Sequence, residues 1–82
     1  MRRRMSDEFI KPENLGMLAK RFRVAAGKTR AQAARDLDVA RPSVFQAEEE
    51  PDQALLKLRK RLIEEYSEFE VSGPFYVLRK KR

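Results

Sequence analysis

The sequence predicts an all-α domain, a bundle of four to five helices followed by one C-terminal β-strand. Three observations carry that prediction. Apolar residues recur at helical spacing from Leu15 to Tyr66. The breakers Gly27, Pro42 and Pro51 cut that stretch into helix-sized pieces. Only from Phe69 onward do β-branched and aromatic residues take over. A chain of 82 residues makes one small domain, in which only about 60–65% of the unfolded surface can be buried, so the core is thin.

Residues 1–11 read as a flexible basic arm, with Phe9 and Ile10 folding back. Pro12 suits a first helical turn, where its missing N–H costs nothing. Leu15, Leu18, Ala19, Phe22 and Ala26 then form one buried stripe, and Gly27 stops the helix. Thr29 offers a hydroxyl as N-cap for a short second helix from Ala31 to Leu37, which Asp38 ends. A third helix starts near Pro42 and runs through Ser43, Val44, Phe45, Gln46, Ala47 and Glu48. Pro51 interrupts, because it lacks a donor and disfavours helix in the residue before it.

Asp52 caps a fourth helix, with Leu55, Leu56, Leu58, Leu62, Ile63 and Tyr66 on its inner side. Lys60 with Glu64 and Arg61 with Glu65 are spaced as i, i+4 pairs. The expected domain therefore spans 12–68, with 69–82 as a strand and basic tail. Phe69, Val71, Phe75, Tyr76, Val77 and Leu78 compose that strand, broken by Ser72-Gly73-Pro74. A lone strand is not stable in water. With no partner of sufficient length evident in the chain, these six residues are expected to pair with a second copy in a homodimer.

Charge is distributed unevenly. The net charge is +6, yet residues 5–78 carry 12 basic against 13 acidic groups, so the excess lies in Arg2–Arg4 and Arg79–Arg82. Within the domain, residues 20–41 hold a net +5 and residues 42–52 a net −4. A basic stretch beside an acidic one predicts a face for a polyanion with the acidic end turned away. With neither Cys nor His, ordinary zinc, haem and iron–sulfur sites, thiol nucleophiles and imidazole acid–base chemistry have no residues to use. No metal, cofactor or small-molecule substrate is expected, and Glu48-Glu49-Glu50 is a poor candidate for catalysis without a cleft. No apolar run is long enough to span a membrane or to serve as a signal-peptide core, so the expected location is cytoplasmic and nucleoid-associated.

The informative segment is Thr29 to Glu48. Two short helices joined by three or four residues are the supersecondary unit of helix-turn-helix proteins. Ala34 is small where two helices must cross, and Asp38 tolerates the positive φ that the turn needs. Leu37, Val39 and Val44 fill the wedge, with Ala47 further along the inner face.

From Pro12 to Tyr66 the chain resembles the Cro/phage-repressor (XRE) class, with its lambda-repressor-like fold. Gly27-Lys28-Thr29-Arg30 looks like the family's approach to its second helix. Leu37-Asp38-Val39-Ala40-Arg41 looks like its Leu-Gly-Val-Ser-Arg turn. Arg23 and Glu48 stand where the family commonly places a helix-one Arg and a helix-three Glu, and are expected to form a structural ion pair. The chain departs from the pattern at Asp38, where Gly is usual. It departs again at Ala33 and Ala47, where larger apolar residues are usual, and at Phe45, an outward position usually polar.

The resemblance implies a sequence-specific regulator, in which the second helix of the motif meets base edges in the major groove of duplex DNA. The base-contact candidates are Ala40, Arg41, Pro42, Ser43, Phe45 and Gln46. Arg41 suits a bidentate bond to guanine, Gln46 to adenine, and Pro42 and Phe45 suit thymine methyls. Arg30, Lys28, Thr29 and Arg35 are the phosphate candidates. A homodimeric repressor would read a palindromic operator with half-sites about 34 Å apart. The alternative is resemblance to HipB-like antitoxins, in which a toxin protein is the partner and DNA binding serves autorepression. Glu48, Glu49, Glu50 and Asp52 are then the candidate toxin contacts.

Overall fold

The computed structural model describes residues 8–50, 54–72 and 76–81. Four helices, α1 (Leu15–Ala25), α2 (Arg30–Leu37), α3 (Arg41–Glu49) and α4 (Leu56–Glu65), pack beside three short strands, β1 (Glu8–Phe9), β2 (Phe69–Ser72) and β3 (Val77–Lys80). The domain is thus mostly helical, with a small antiparallel sheet. No helix among the described residues is long and apolar enough to cross a membrane.

Local chemistry sets the helix limits. Pro12 opens a 3-10 turn, Pro12–Asn14, that leads into α1 rather than beginning α1 itself. Leu15 and Ala19 are fully buried, and Leu18 and Phe22 pack against the core beside them. Ala26, expected on that stripe, instead caps the exposed helix end. Gly27 takes φ +75°, and Lys28 N donates back to Arg23 O at 3.1 Å, closing the helix as a left-handed glycine does.

A reciprocal capping box opens α2. Gln32 N donates to Thr29 Oγ1 at 3.1 Å and Thr29 N donates to Gln32 Oε1 at 2.8 Å. Asp38 ends α2 at φ 56° and ψ 52°, and Val39 N donates to Ala34 O at 2.9 Å. The positive φ expected from sequence is therefore present, at a residue that bears a Cβ. Glycine holds this conformation without that steric penalty, so Asp38→Gly should stabilise the fold by about 0.5–1 kcal/mol. A higher urea midpoint with an unchanged slope is the expected readout.

Ala33, Ala34, Leu37, Val44 and Ala47 bring α2 and α3 together, and Leu58, Leu62 and Ile63 of α4 complete the core. Leu55, Leu56 and Tyr66 pack at its margin, as expected. The first helical residue of α4 is Leu56, and its N-cap residue Leu55 has no side chain able to cap it. The expected cap Asp52 lies outside the described residues. Neither expected i, i+4 ion pair closes among the described residues. Arg61 donates to Leu37 O at 2.7 Å instead, tying α4 to the end of α2.

Two close approaches were not anticipated from sequence. Gly16 lies so near the end of α3 that a Cβ built on it would sit 2.4 Å from Ala47 O. Arg59, only 4% exposed, donates through Nε to Ala47 O at 2.9 Å and through Nη2 to Glu50 O at 2.8 Å. A helix C-terminus carries unsatisfied carbonyls and partial negative charge, and a buried guanidinium answers both.

The C-terminal segment corrects the expectation most clearly. The strand finds its partners inside the chain. The sheet order is β1-β3-β2, with Val71 opposite Leu78, Glu70 opposite Arg79 and Phe9 opposite Val77. The expected fold-back of Phe9 and Ile10 is this pairing, and Ile10 N donates to Tyr76 O at 2.9 Å.

β3 is central, paired along its length with β2 and at Val77 and Leu78 with β1. On the far side of β2, Phe69 N donates to Ser67 Oγ at 3.0 Å and Val71 N to Glu64 Oε2 at 3.4 Å, so side chains already occupy these amides. Val71 and Leu78 belong to the core, and the Phe69 ring packs 6.0 Å from that of Phe22. Phe69, Val71 and Leu78 therefore pack within the domain itself. Tyr76 and Val77 are half-buried, and Phe75 lies outside the described residues.

Candidate nucleic-acid interface

The exposed start of α3 brings most of the candidate base-contact residues together. Ala40, the extended N-cap, leaves the helix end open, since its side chain has no oxygen to fold back on it. Arg41 and Pro42 follow at the first turn, both exposed. Phe45 is 44% exposed. Arg30, Arg41, Pro42 and Phe45 line one shallow surface depression. Gln46 is half-buried alongside. Ser43, half-buried, lines a separate apolar hollow with Val39, Leu55, Leu56 and Leu58.

Beneath this surface lies the ion pair expected from sequence. Arg23 donates through Nε to Glu48 Oε2 at 2.6 Å and through Nη2 to Glu48 Oε1 at 3.0 Å. Its Nη1 donates to Lys28 O at 2.7 Å. The Glu48 side chain is fully buried and that of Arg23 is 7% exposed. The fork joins α1 to α3 and also holds the loop before α2. Burial removes Glu48 from the candidate toxin contacts, because a partner protein cannot reach its carboxylate.

Arg30 is more constrained than a loose phosphate contact. It donates through Nε to Glu48 Oε1 at 3.0 Å and through Nη2 to Glu49 Oε2 at 2.5 Å. Its guanidinium carbon lies 4.8 Å from the centre of the Phe45 ring, a cation–π stack. The outward phenyl ring, out of pattern in the sequence, is thus the platform on which Arg30 rests. Among the other phosphate candidates, the Thr29 hydroxyl oxygen accepts the capping bond from Gln32 N and keeps its own proton to donate. Lys28 stands 3.9 Å from Asp36, and Arg35 is exposed. Tyr66 donates to Asp36 Oδ2 at 2.6 Å. Burial, helped by that carboxylate, pushes the phenol well above its ordinary pKa, so the hydroxyl keeps its proton as the donor.

The acidic end of α3 does not turn away as expected. Arg41, Phe45 and Glu49 are spaced four residues apart and share one stripe of the helix. Glu49 lies on that stripe with its charge answered by two cations, Lys20 Nζ at 2.7 Å and Arg30 Nη2. The hydrogen bond from Lys20, with further help from both cations, holds its carboxyl below the usual range. Lys20 was missed in the sequence. Its spacing three residues before Arg23, on the side of α1 that meets α3, is the signal that finds it.

No family model, curated protein or solved structure matches this chain.

Proposed function

We propose that this protein binds duplex DNA sequence-specifically through a helix-turn-helix formed by α2 and α3, and acts as a transcriptional regulator, most simply a repressor. The observation that carries this reading is the cluster at the start of α3. Arg41, Pro42 and Phe45 project from a rigid helix beside Arg30, while the opposite face of the same helix is consumed by Val44, Ala47 and Glu48 in the core. Side chains on a packed helix are held in register, as base-edge contacts require. The polarised charge supports the reading, since residues 20–41 are strongly basic.

Arg41 is the residue assigned to a guanine, and Pro42 and Phe45 to thymine methyls. Half-site recognition of this kind needs only one chain. The antitoxin alternative is weaker, because Glu48 is buried and Glu49 is paired within the domain.

Arg41→Ala tests the assignment. It is expected to reduce discrimination for a selected duplex by about 1–3 kcal/mol, the worth of one bidentate base contact, while binding to random duplex persists. A competition gel shift with duplexes selected from a random pool measures it. An unchanged preference in Arg41→Ala would overturn the assignment.

A further inference from the structure

Glu49 Oε2 is a single anionic oxygen shared by cations from two helices, Lys20 Nζ of α1 at 2.7 Å and Arg30 Nη2 at the start of α2 at 2.5 Å. Two cationic donors converging on one oxygen would also suit a phosphodiester oxygen. The side chains of Lys20, Arg30 and Glu49 remain 44%, 32% and 33% exposed, so a ligand can reach all three. The two cations are not held alike. Lys20 has a flexible stem and an exposed contact of small net worth. Arg30 keeps its bond to buried Glu48 and its stack on Phe45 whether or not Glu49 stays. If the carboxylate leaves, a fixed guanidinium and a mobile ammonium remain around an empty anion position.

The geometry points to a phosphate-binding notch formed by Lys20 and Arg30, which Glu49 fills in the free protein and from which the backbone of a duplex displaces it. The inference rests on the DNA-binding reading and adds Lys20 and Glu49 to the interface. It gives Glu49 a role that a carboxylate on a groove-facing stripe otherwise lacks. Glu49 acts as a built-in competitor for the phosphate, and it weakens binding to every duplex irrespective of sequence. It also offsets the repulsion between Lys20 and Arg30 in the free protein.

The test uses the full chain and a short random-sequence duplex, with binding followed by fluorescence anisotropy over a salt series. Glu49→Gln is expected to bind about 2- to 5-fold more tightly than wild type, the worth of the exposed ion pair that no longer has to be broken, with a similar logarithmic salt slope, since the phosphate occupies the notch in both complexes. Preference among duplexes should be unchanged. Lys20→Gln should lower the slope by about 0.9 both in wild type and in the Glu49→Gln background, because each phosphate contact adds about 0.9 and Lys20 meets the phosphate in both complexes. If wild type binds but Glu49→Gln binds with the same affinity, or Lys20→Gln leaves the slope unchanged, there is no notch. If neither protein binds any duplex at low salt, the DNA reading itself fails, and the two failures are thereby distinguished. Both variants alter exposed side chains, and far-UV circular dichroism confirms that each is folded before binding is read.

Discussion

Glu48→Gln should destabilise the domain by about 3–5 kcal/mol, the usual consequence of stranding one partner of a buried ion pair. Gln matches Glu in shape, so no cavity opens and the change isolates the charge. In the variant, Arg23 stays buried with its Lys28 O contact, but the groups that took Nε and Nη2 are replaced by a neutral amide. One end of that amide is itself a donor and would face a donor. Arg30 Nε loses a charged acceptor in the same step. A small domain has only about 5–15 kcal/mol of stability in total, so the variant should be close to unfolding at ordinary temperature. Urea denaturation followed by circular dichroism measures this. Glu49→Gln, at an exposed carboxylate in the same helix, is the matched control and should leave the transition nearly unmoved.

Replacing both members, as in Arg23→Met with Glu48→Leu, should recover much of the loss, because an apolar pair of similar volume often substitutes for a buried ion pair. A Glu48→Gln midpoint equal to wild type would mean that the pair is solvated rather than buried.

The second large effect is at Gly16, where Gly→Ala should be destabilising by about 3 kcal/mol, opposite in sign to its usual effect. Within an exposed helix, Ala is preferred to Gly by about 1 kcal/mol. Here the added methyl would meet Ala47 O at 2.4 Å and Glu48 O at 3.1 Å, both backbone atoms that cannot rotate aside. Relief requires α1 and α3 to separate, which disturbs the Arg23–Glu48 fork and the contact of Arg59 with Ala47 O. Overpacking of this kind typically costs about 1–3 kcal/mol, and a backbone obstacle places it at the upper end. Thermal melts of the two proteins under identical conditions decide it. A Gly16→Ala protein that melts higher than wild type would show that α1 and α3 are not in such close contact.

Much of the helical framework was legible in the residues because its causes are local. Gly27 and Asp38 end helices through their own φ, and Thr29 with Gln32 caps α2 within a single turn. The stripe of Leu15, Leu18, Ala19 and Phe22 records its own buried face by spacing. Arg23 with Glu48 came from the family resemblance rather than from spacing, and the structure joins them in the expected fork.

Residues close together along the chain thus encode which segments are helical, where α1 and α2 stop, and most of each apolar face. Each of those properties depends on neighbours within a few positions along the chain. The pairing of β3 between β1 and β2, the contact of Gly16 with the end of α3, and the burial of Arg59 were decided only by tertiary structure. The same is true of the two cations gathered on Glu49. Those features join residues far apart in the chain, and no local spacing encodes a distance that exists only once the helices have packed.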